Sequence, residues 1–337
     1  MNDVLQVSYT GDLLAHRRCP RAWAYEKHAQ FHPYEQVQAM EGRLIHHAME
    51  WLTRCYRQNQ IHAKRAELEI QLNKFFRVLW AHGIRTTFQS KAETIERVLK
   101  NLFPRRRMHP AVKAAVEGAT HTEYELRTVR KLIAADFGGK SKLMLMGILD
   151  LVVQSNQPLR YSRTWEWTDE DQLRGRVARR ITQAQVSETE IWEYKGTQAN
   201  SPYLSDFILQ LLTYASLFRE RTGHLPVRCV LFFVNERTQQ EQLVAVPITK
   251  KIVRLAERWT FEQVRELRRT ALQFEHNPNQ VDGGDLARRH RPLNQRVDDE
   301  LKKQCTACGQ RFDCQAYIAR LGGKNHRDVS VVNVDKN

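Results

Sequence analysis

Through residues 8–58 apolar side chains recur every three or four positions, the spacing of helices with one buried stripe. At least two helices are predicted there. Ser8 or Thr10 caps the first, which passes Leu13 and Leu14 and reaches Trp23; the second, over 36–57, aligns Leu44, Ile45, Ala48, Met49 and Leu52. Residues 62–82 and 91–102 read as further amphipathic helices, and Pro104 with the Arg105–Arg107 run ends that pattern. At His121 the period changes. Glu123, Glu125 and Arg127 alternate with Tyr124, Leu126 and Val129, as on a half-buried strand. After a turn at Gly138 and Gly139, residues 142–154 are more continuously apolar, as in the interior of a sheet. A short strand over 190–195, a helix over 204–221, strands over 228–234 and 242–248 and a long charged helix over 250–274 complete the pattern. This order predicts an α/β fold: one mixed sheet flanked by helices. The polar tail from Gly322 onward is expected to be poorly ordered.

Charge changes the picture more than composition does. Lys and Arg total 53 against 38 Asp and Glu, a formal net charge of +15 with a sequence pI near 9.7. Such an excess suits a polyanion, whose phosphates release counterions when neutralised. A solvated basic surface or an anionic lipid is the alternative, and charge does not separate a binder from an enzyme. No apolar run is long enough to span a membrane, and residues 1–10 lack a secretory leader's basic and apolar regions. A cytoplasmic address with no membrane partner is expected, where six cysteines are unlikely material for structural disulfides. Cys229, in an apolar run, and Cys55, between Trp51 and Tyr56, read as core residues.

Three residues carry candidate chemistry. Asp150 lies within the apolar stretch 142–154, and Glu193 and Lys195 alternate on one strand, so both side chains share a face. A carboxylate inside an apolar strand is costly unless paired or metal-bound. Two on adjacent strands make a hard-oxygen site for Mg²⁺ or Mn²⁺, which activates water and stabilises charge on a phosphate. An ammonium beside them positions that water or stabilises the transition state. The plain alternative is that Glu193 and Lys195 are ordinary strand charges facing solvent.

Gly147-x-x-Asp150, Glu193-x-Lys195 on a short strand, and Gln210-x-x-x-Tyr214 on the next helix together resemble the RecB-like nucleases of the PD-(D/E)XK superfamily. Upstream, Gly42 to His46 is similar to that family's Gly-x-x-x-His helix, the spacing selecting His46 over His47. The resemblance implies a restriction-endonuclease-like fold in which His46, Asp150, Glu193 and the backbone carbonyl of Tyr194 hold the metal. It implies that Lys195 is the catalytic lysine, acting with Asp150 and Glu193. Gln210 and Tyr214, four apart on one helix face, would reach the substrate; Tyr214 as a core tyrosine is the alternative. Glu123 matches an acidic position on the family's first strand, with no role assigned.

Cys305, Cys308 and Cys314 form a compact thiolate set that needs a fourth soft ligand, and Cys19 is the natural one. One early and three late cysteines resemble the iron–sulfur RecB-like nucleases, among them CRISPR-associated exonucleases and the AddB nuclease domain. The resemblance implies a 4Fe-4S cluster; four thiolates equally suit Zn²⁺. Either occupant ties the N-terminal region to the C-terminal one. The expected organisation is a single nuclease domain over 1–321. It carries a helical insertion at 60–118, a basic and aromatic insertion at 155–189 and a helical, cysteine-bearing region at 249–321. The second insertion interleaves Arg160, Tyr161, Arg163, Trp165, Trp167, Arg174, Arg176, Arg179 and Arg180, either to grip single strands or as a hairpin whose tryptophans pack on the core. The function implied is a metal-dependent nuclease, foremost an exonuclease on single-stranded DNA or DNA ends, in repair, CRISPR adaptation or antiphage defence. A structure-selective endonuclease and a non-catalytic DNA-binding subunit are the alternatives. No P-loop is present, so a helicase or a defence component would be a separate partner.

Overall fold

The computed structural model describes residues 4–28, 39–58, 64–84, 90–104, 107–133, 137, 139–154, 158–201, 203–236 and 242–276. It divides into two compact units, one of Met1–Thr10 with Gln36–Glu262, the other of Gly11–Glu35 with Gln263–Asn337.

The first unit is a sheet with helices on both faces. Its strands are β1 (Val4–Ser8), β2 (Ala119–Lys131), β3 (Lys142–Gln154), β4 (Leu159–Tyr161), β5 (Arg163–Asp169), β6 (Arg174–Ala178), β7 (Thr182–Ala184), β8 (Thr189–Lys195), β9 (Arg228–Phe233) and β10 (Leu243–Pro247). Among the described residues eight of these form one mixed sheet, ordered β1-β3-β8-β9-β10-β5-β6 with β2 also paired to β3; β4 and β7 form a separate ribbon. β2 pairs with β3 along almost its full length. The other edge of β3 is therefore shared: β1 takes Lys142 to Met146, and β8 takes Leu151 to Gln154. Gly147 to Asp150 lie between the two.

Helices α1 (Ala15–Arg18), α2 (Pro20–His28), α3 (Ala39–Arg57), α4 (Arg65–Ala81), α5 (Lys91–Leu102), α6 (Pro110–Glu117), α7 (Leu204–Thr222) and α8 (Lys250–His276) complete the described chain. Leu44, Ile45, Leu68, Leu72, Val98, Leu99 and Val112 of α3–α6 share a buried cluster with Trp192, Tyr194, Val230 and Phe232 of the sheet. α5 begins with a reciprocal cap, in which the Ser90 side chain accepts from the Glu93 amide and Glu93 reaches back to the Ser90 amide. α7 covers the opposite face of β8 and is buried continuously from Asp206 to Phe218. Gly223, at φ 84, closes it in the left-handed conformation that favours glycine.

In the second unit the chain breaks at Cys19, which is extended (φ −157, ψ 101) between α1 and α2. Pro20 explains the break, because its ring disfavours a helical conformation in the residue before it. Trp23 donates from Nε1 to Asp12 Oδ1 at 3.2 Å, and Lys27 pairs with Asp12 at the same distance. His16 Nε2 meets the Thr270 hydroxyl at 2.8 Å, and Tyr25 stands edge-on to Phe274. The N-terminal helices and the end of α8 thus pack together within one unit.

The α/β layering follows the sequence pattern, with three departures. Residues 4–8 form a parallel strand where only a helix cap at Ser8 or Thr10 was expected, and residues 9–14 are a π-helical turn. α6 lies within the 60–118 segment expected to be helical, but was not singled out there as an element. The 155–189 segment goes beyond the core-packed hairpin that was one of its two readings: β5 pairs in parallel with β10 and extends the main sheet, with Trp165 buried in it.

Candidate metal centre

β8 leaves β3 where the acidic residues stand. The ladder between them runs from Gln154–Thr189 to Leu151–Trp192 and stops. The next step would pair Asp150 with Glu193. There the Tyr194 N–H donates to Asp150 Oδ2 at 2.7 Å instead of to a β3 carbonyl. On its other edge β8 stays paired with β9 through Lys195–Phe233, and the Lys195 carbonyl accepts from the Val234 amide. Successive residues of a strand aim their backbone groups at alternate edges, so the Tyr194 carbonyl leaves on the edge that faces Asp150.

α3 and β2 supply the remaining donors. His46 Nδ1 lies 3.2 Å from Glu123 Oε1 and 3.3 Å from Asp150 Oδ1. Ligand atoms of these three residues all lie within 4.8 Å of one another. Glu123 sits at φ 46, a left-handed conformation that costs a non-glycine residue about 1–2 kcal/mol. His47, one residue on, stacks on Phe75 with ring centroids 4.0 Å apart.

The two oxygens of Glu193 differ. Oε1 accepts from Lys195 Nζ at 2.8 Å and from Gln210 Nε2 at 2.7 Å. Oε2 is buried and receives no hydrogen bond from the described residues, an expensive condition for a carboxylate oxygen. Lys195 also donates to Gln210 Oε1 at 2.9 Å, and its ammonium lies 4.8 Å from the Phe207 ring centroid. Gln210 reaches Tyr214 Oη at 3.0 Å. Both residues expected to touch substrate are therefore buried behind Glu193 and Lys195. Gly147 is where Tyr214 presses closest: a Cβ there would come within 2.7 Å of the tyrosine ring.

Electrostatics single out the same group of atoms. Burial, then the neighbouring Glu193, pushes the Asp150 carboxyl well above the usual carboxylate range, against the pull of His46, Lys195 and the Tyr194 N–H. Burial also opposes a charge on His46, but Asp150, Glu123 and Glu193 outweigh it and raise the imidazole to about 9. Crowded carboxylates, an imidazole facing them and an orphaned oxygen form a donor set that fits a divalent cation. One nitrogen and several carboxylate oxygens suit Mg²⁺ or Mn²⁺.

Two contributors were not assigned from sequence. Glu123 was noticed without a role. Asn235, just past β9, donates from Nδ2 to Glu41 Oε1 and to the Gly196 carbonyl, each at 3.0 Å, and accepts from Asn101 at 2.5 Å. It ties the start of α3, which carries His46, to the residue after Lys195. Nothing in the local pattern marks it, since its partners lie 39 to 194 positions away.

Cys19 Sγ accepts the Ala22 N–H at 3.4 Å in the first turn of α2. Cys305, Cys308 and Cys314 lie outside the described residues, as do Arg105, Arg106 and the tail. In the 155–189 segment Arg174, Arg176, Arg179 and Arg180 are exposed, Trp165 is buried, and Arg163 pairs with Glu236 at 3.6 Å. No helix among the described residues is long and apolar enough to cross a membrane.

A family model described as the PD-(D/E)XK nuclease superfamily matches residues 11–315. No curated protein matches the chain significantly.

Proposed function

The chain belongs to the PD-(D/E)XK nuclease superfamily, and from that premise we propose that it is a Mg²⁺- or Mn²⁺-dependent deoxyribonuclease acting on single-stranded DNA or DNA ends, in the manner of the RecB-like nucleases. The observation that carries this reading is the orphaned Glu193 Oε2, beside the His46, Glu123 and Asp150 cluster and next to a lysine already held in place.

His46, Asp150, Glu193 and the Tyr194 carbonyl would hold the cation, with Glu123 as a further oxygen donor. When bound, the cation supplies an activated water and positive charge for the phosphate. The Tyr194 N–H fixes one Asp150 oxygen, which leaves the other facing His46. Glu193 and Gln210 take two of the Lys195 N–H bonds; an ammonium has three, and the third serves a phosphate oxygen as negative charge builds there. Gln210 holds Lys195 and Tyr214 holds Gln210 in turn, and the net charge of +15 favours a polyanion.

The iron–sulfur reading belongs to the second unit. Cys19 stands at the N-terminus of α2, where its sulfur accepts the Ala22 N–H. The packing of α1 and α2 with the end of α8 supports a cluster, or a zinc ion, that joins Cys19 to Cys305, Cys308 and Cys314. Iron, sulfide and zinc analysis of anaerobically purified protein decides between the two occupants, and finding neither removes the reading.

For the nuclease, end-labelled single-stranded DNA is incubated with Mg²⁺, Mn²⁺ or EDTA, beside an Asp150→Ala variant. Metal-dependent cleavage lost in the variant is expected, and the product ladder separates exonuclease from endonuclease. Cleavage that persists in Asp150→Ala or in EDTA would overturn the site.

A further inference from the structure

Among the described strands, β9 alone holds the end of β8: past Trp192 the strand has left β3, and its pairing with β9 runs through Lys195. Gly196 follows, the residue type with the most backbone freedom. A strand end with one open edge frays unless something beyond the ladder secures it. Three consecutive residues do so. The Val234 N–H donates to the Lys195 carbonyl at 3.0 Å, Asn235 Nδ2 donates to the Gly196 carbonyl at 3.0 Å, and Glu236 Oε2 accepts the Ala199 N–H at 2.9 Å. Arg163 of β5 lies 3.6 Å from that same Glu236 oxygen, so the 155–189 segment braces this corner.

Asn235 does more than its two neighbours. Its amide offers two N–H bonds fixed in one plane. One goes to Gly196 and the other to Glu41 Oε1, while Oδ1 accepts from Asn101. Glu41 stands in the first turn of α3, five residues before His46. Arg97, one turn before Asn101 on α5, lies 3.8 Å from the other Glu41 oxygen. A single planar group therefore spans the helix that brings His46 and the strand end that brings Lys195. The rest of the centre is placed differently. Glu123 and Asp150 ride on β2 and β3, whose backbones are laddered along almost their full length. α3 meets the sheet through an apolar cluster, which is non-directional and fills space without fixing register. The setting of α3 against the end of β8 is thus left to directional side-chain bonds, and Asn235 makes them.

We infer that Asn235 is a positioning residue of the metal centre: its amide sets the distance between His46 and the Glu193–Lys195 pair. It touches neither cation nor substrate. The inference rests on the nuclease reading and adds to it the part that holds the two halves of the site in register.

The test uses the full chain with Asn235→Ala, Asn235→Asp, and Asn235→Asp combined with Glu41→Gln. Glu190→Gln, which breaks a buried pair with Arg228, is the control for lost stability alone. Mn²⁺ binding is measured by calorimetry, and kcat and KM on a single-stranded oligonucleotide, at a temperature where thermal unfolding shows every variant folded. Asn235→Ala should raise the Mn²⁺ Kd and lower kcat, each about tenfold or more, the range for groups that orient metal ligands from behind. KM should stay near its original value. Asn235→Asp should do worse, because a carboxylate then faces Glu41 and the Gly196 carbonyl with no N–H to give. Adding Glu41→Gln returns a donor to that bond from the other side and should recover part of both losses. Losses no greater than those of Glu190→Gln overturn the inference, and so does a double variant no better than Asn235→Asp. A wild type that binds Mn²⁺ and cuts nothing sinks the nuclease reading, and the calorimetric series alone then upholds or overturns the role of Asn235. A wild type that binds no Mn²⁺ overturns it together with the cation site.

Discussion

β8 carries two buried glutamates three residues apart, and they are opposites. Glu190, 1% exposed, has a partner at each oxygen: Oε2 accepts from Tyr161 Oη at 2.5 Å and Trp192 Nε1 at 3.0 Å, and Oε1 is ion-paired with Arg228 Nε at 3.1 Å, though without hydrogen-bond geometry. Glu193, 4% exposed, has one oxygen served and one left over. An odd separation puts them on opposite faces of the sheet. Glu190 shares the α3–α6 side with Trp192, and Glu193 meets Gln210 of α7. Burial raises the Glu190 carboxyl above its usual range, and Tyr161, Trp192 and Arg228 pull it part of the way back, so the cost of burial is offset in part inside the protein. For Glu193 the second oxygen has no hydrogen-bond donor among the described residues. Burial alone therefore does not mark a functional carboxylate; an incomplete set of partners does.

The comparison breaks most visibly in catalysis. Glu193→Gln or Lys195→Ala should lower cleavage by about 10³-fold or more, the scale of removing a charge-stabilising group from an active site. Circular dichroism should show an intact fold, and near-normal rates would erase the distinction. Glu190→Gln should do the reverse. Removing one member of a buried ion pair costs about 3–5 kcal/mol, so chemical denaturation should show that loss while cleavage per folded molecule stays unchanged.

His16 sharpens the contrast from the second unit, where burial alone lowers an imidazole from 6.5 to about 4. Between those values the unfolded chain binds a proton that the folded chain refuses. Stability therefore falls as pH drops through that window, by up to roughly 3 kcal/mol. His16→Gln should flatten that slope in acid titrations, and an unaltered slope would assign it to other groups. The smallest effect is from the ion. Mn²⁺ at a hundred times its Kd should stabilise wild type and Glu190→Gln by about 2.7 kcal/mol, and Glu193→Gln distinctly less. Equal stabilisation of all three would place the ion elsewhere.

Asp150, Glu193, Lys195 and His46 were legible because each stands at a short, fixed spacing from a glycine or another charged residue on a regular element. Glu190 shows what spacing omits. It lies on the same strand and is buried more deeply, but its partners Tyr161 and Arg228 sit 29 and 38 positions away, so its closed role emerges only when the sheet is assembled. β1 was missed for a similar reason: a five-residue strand read beside a helix signal declares itself only by pairing in parallel with β3, well over a hundred residues later. The alternation of arginine and tryptophan at 160–180 is ambiguous by nature. An edge strand guarded by exposed basic residues and a groove for single strands share that pattern, and only pairing with β10 shows that β5 is part of the sheet.

The divergence of β8 from β3 also makes the site a witness to correct folding. Side chains alternate along a strand, so pairing β8 one residue out of step would present Tyr194 or Trp192 where Glu193 belongs, and Lys195 would point away from α7. Such a chain would be compact and comparably apolar, but it would have no carboxylate opposite Asp150 to share a cation. An ion that binds only the properly registered sheet drains molecules out of the misregistered population by mass action. In a protein whose sheet depends on several distant pairings, such an ion would serve as a selector among nearly equivalent folds before it takes any part in nuclease chemistry.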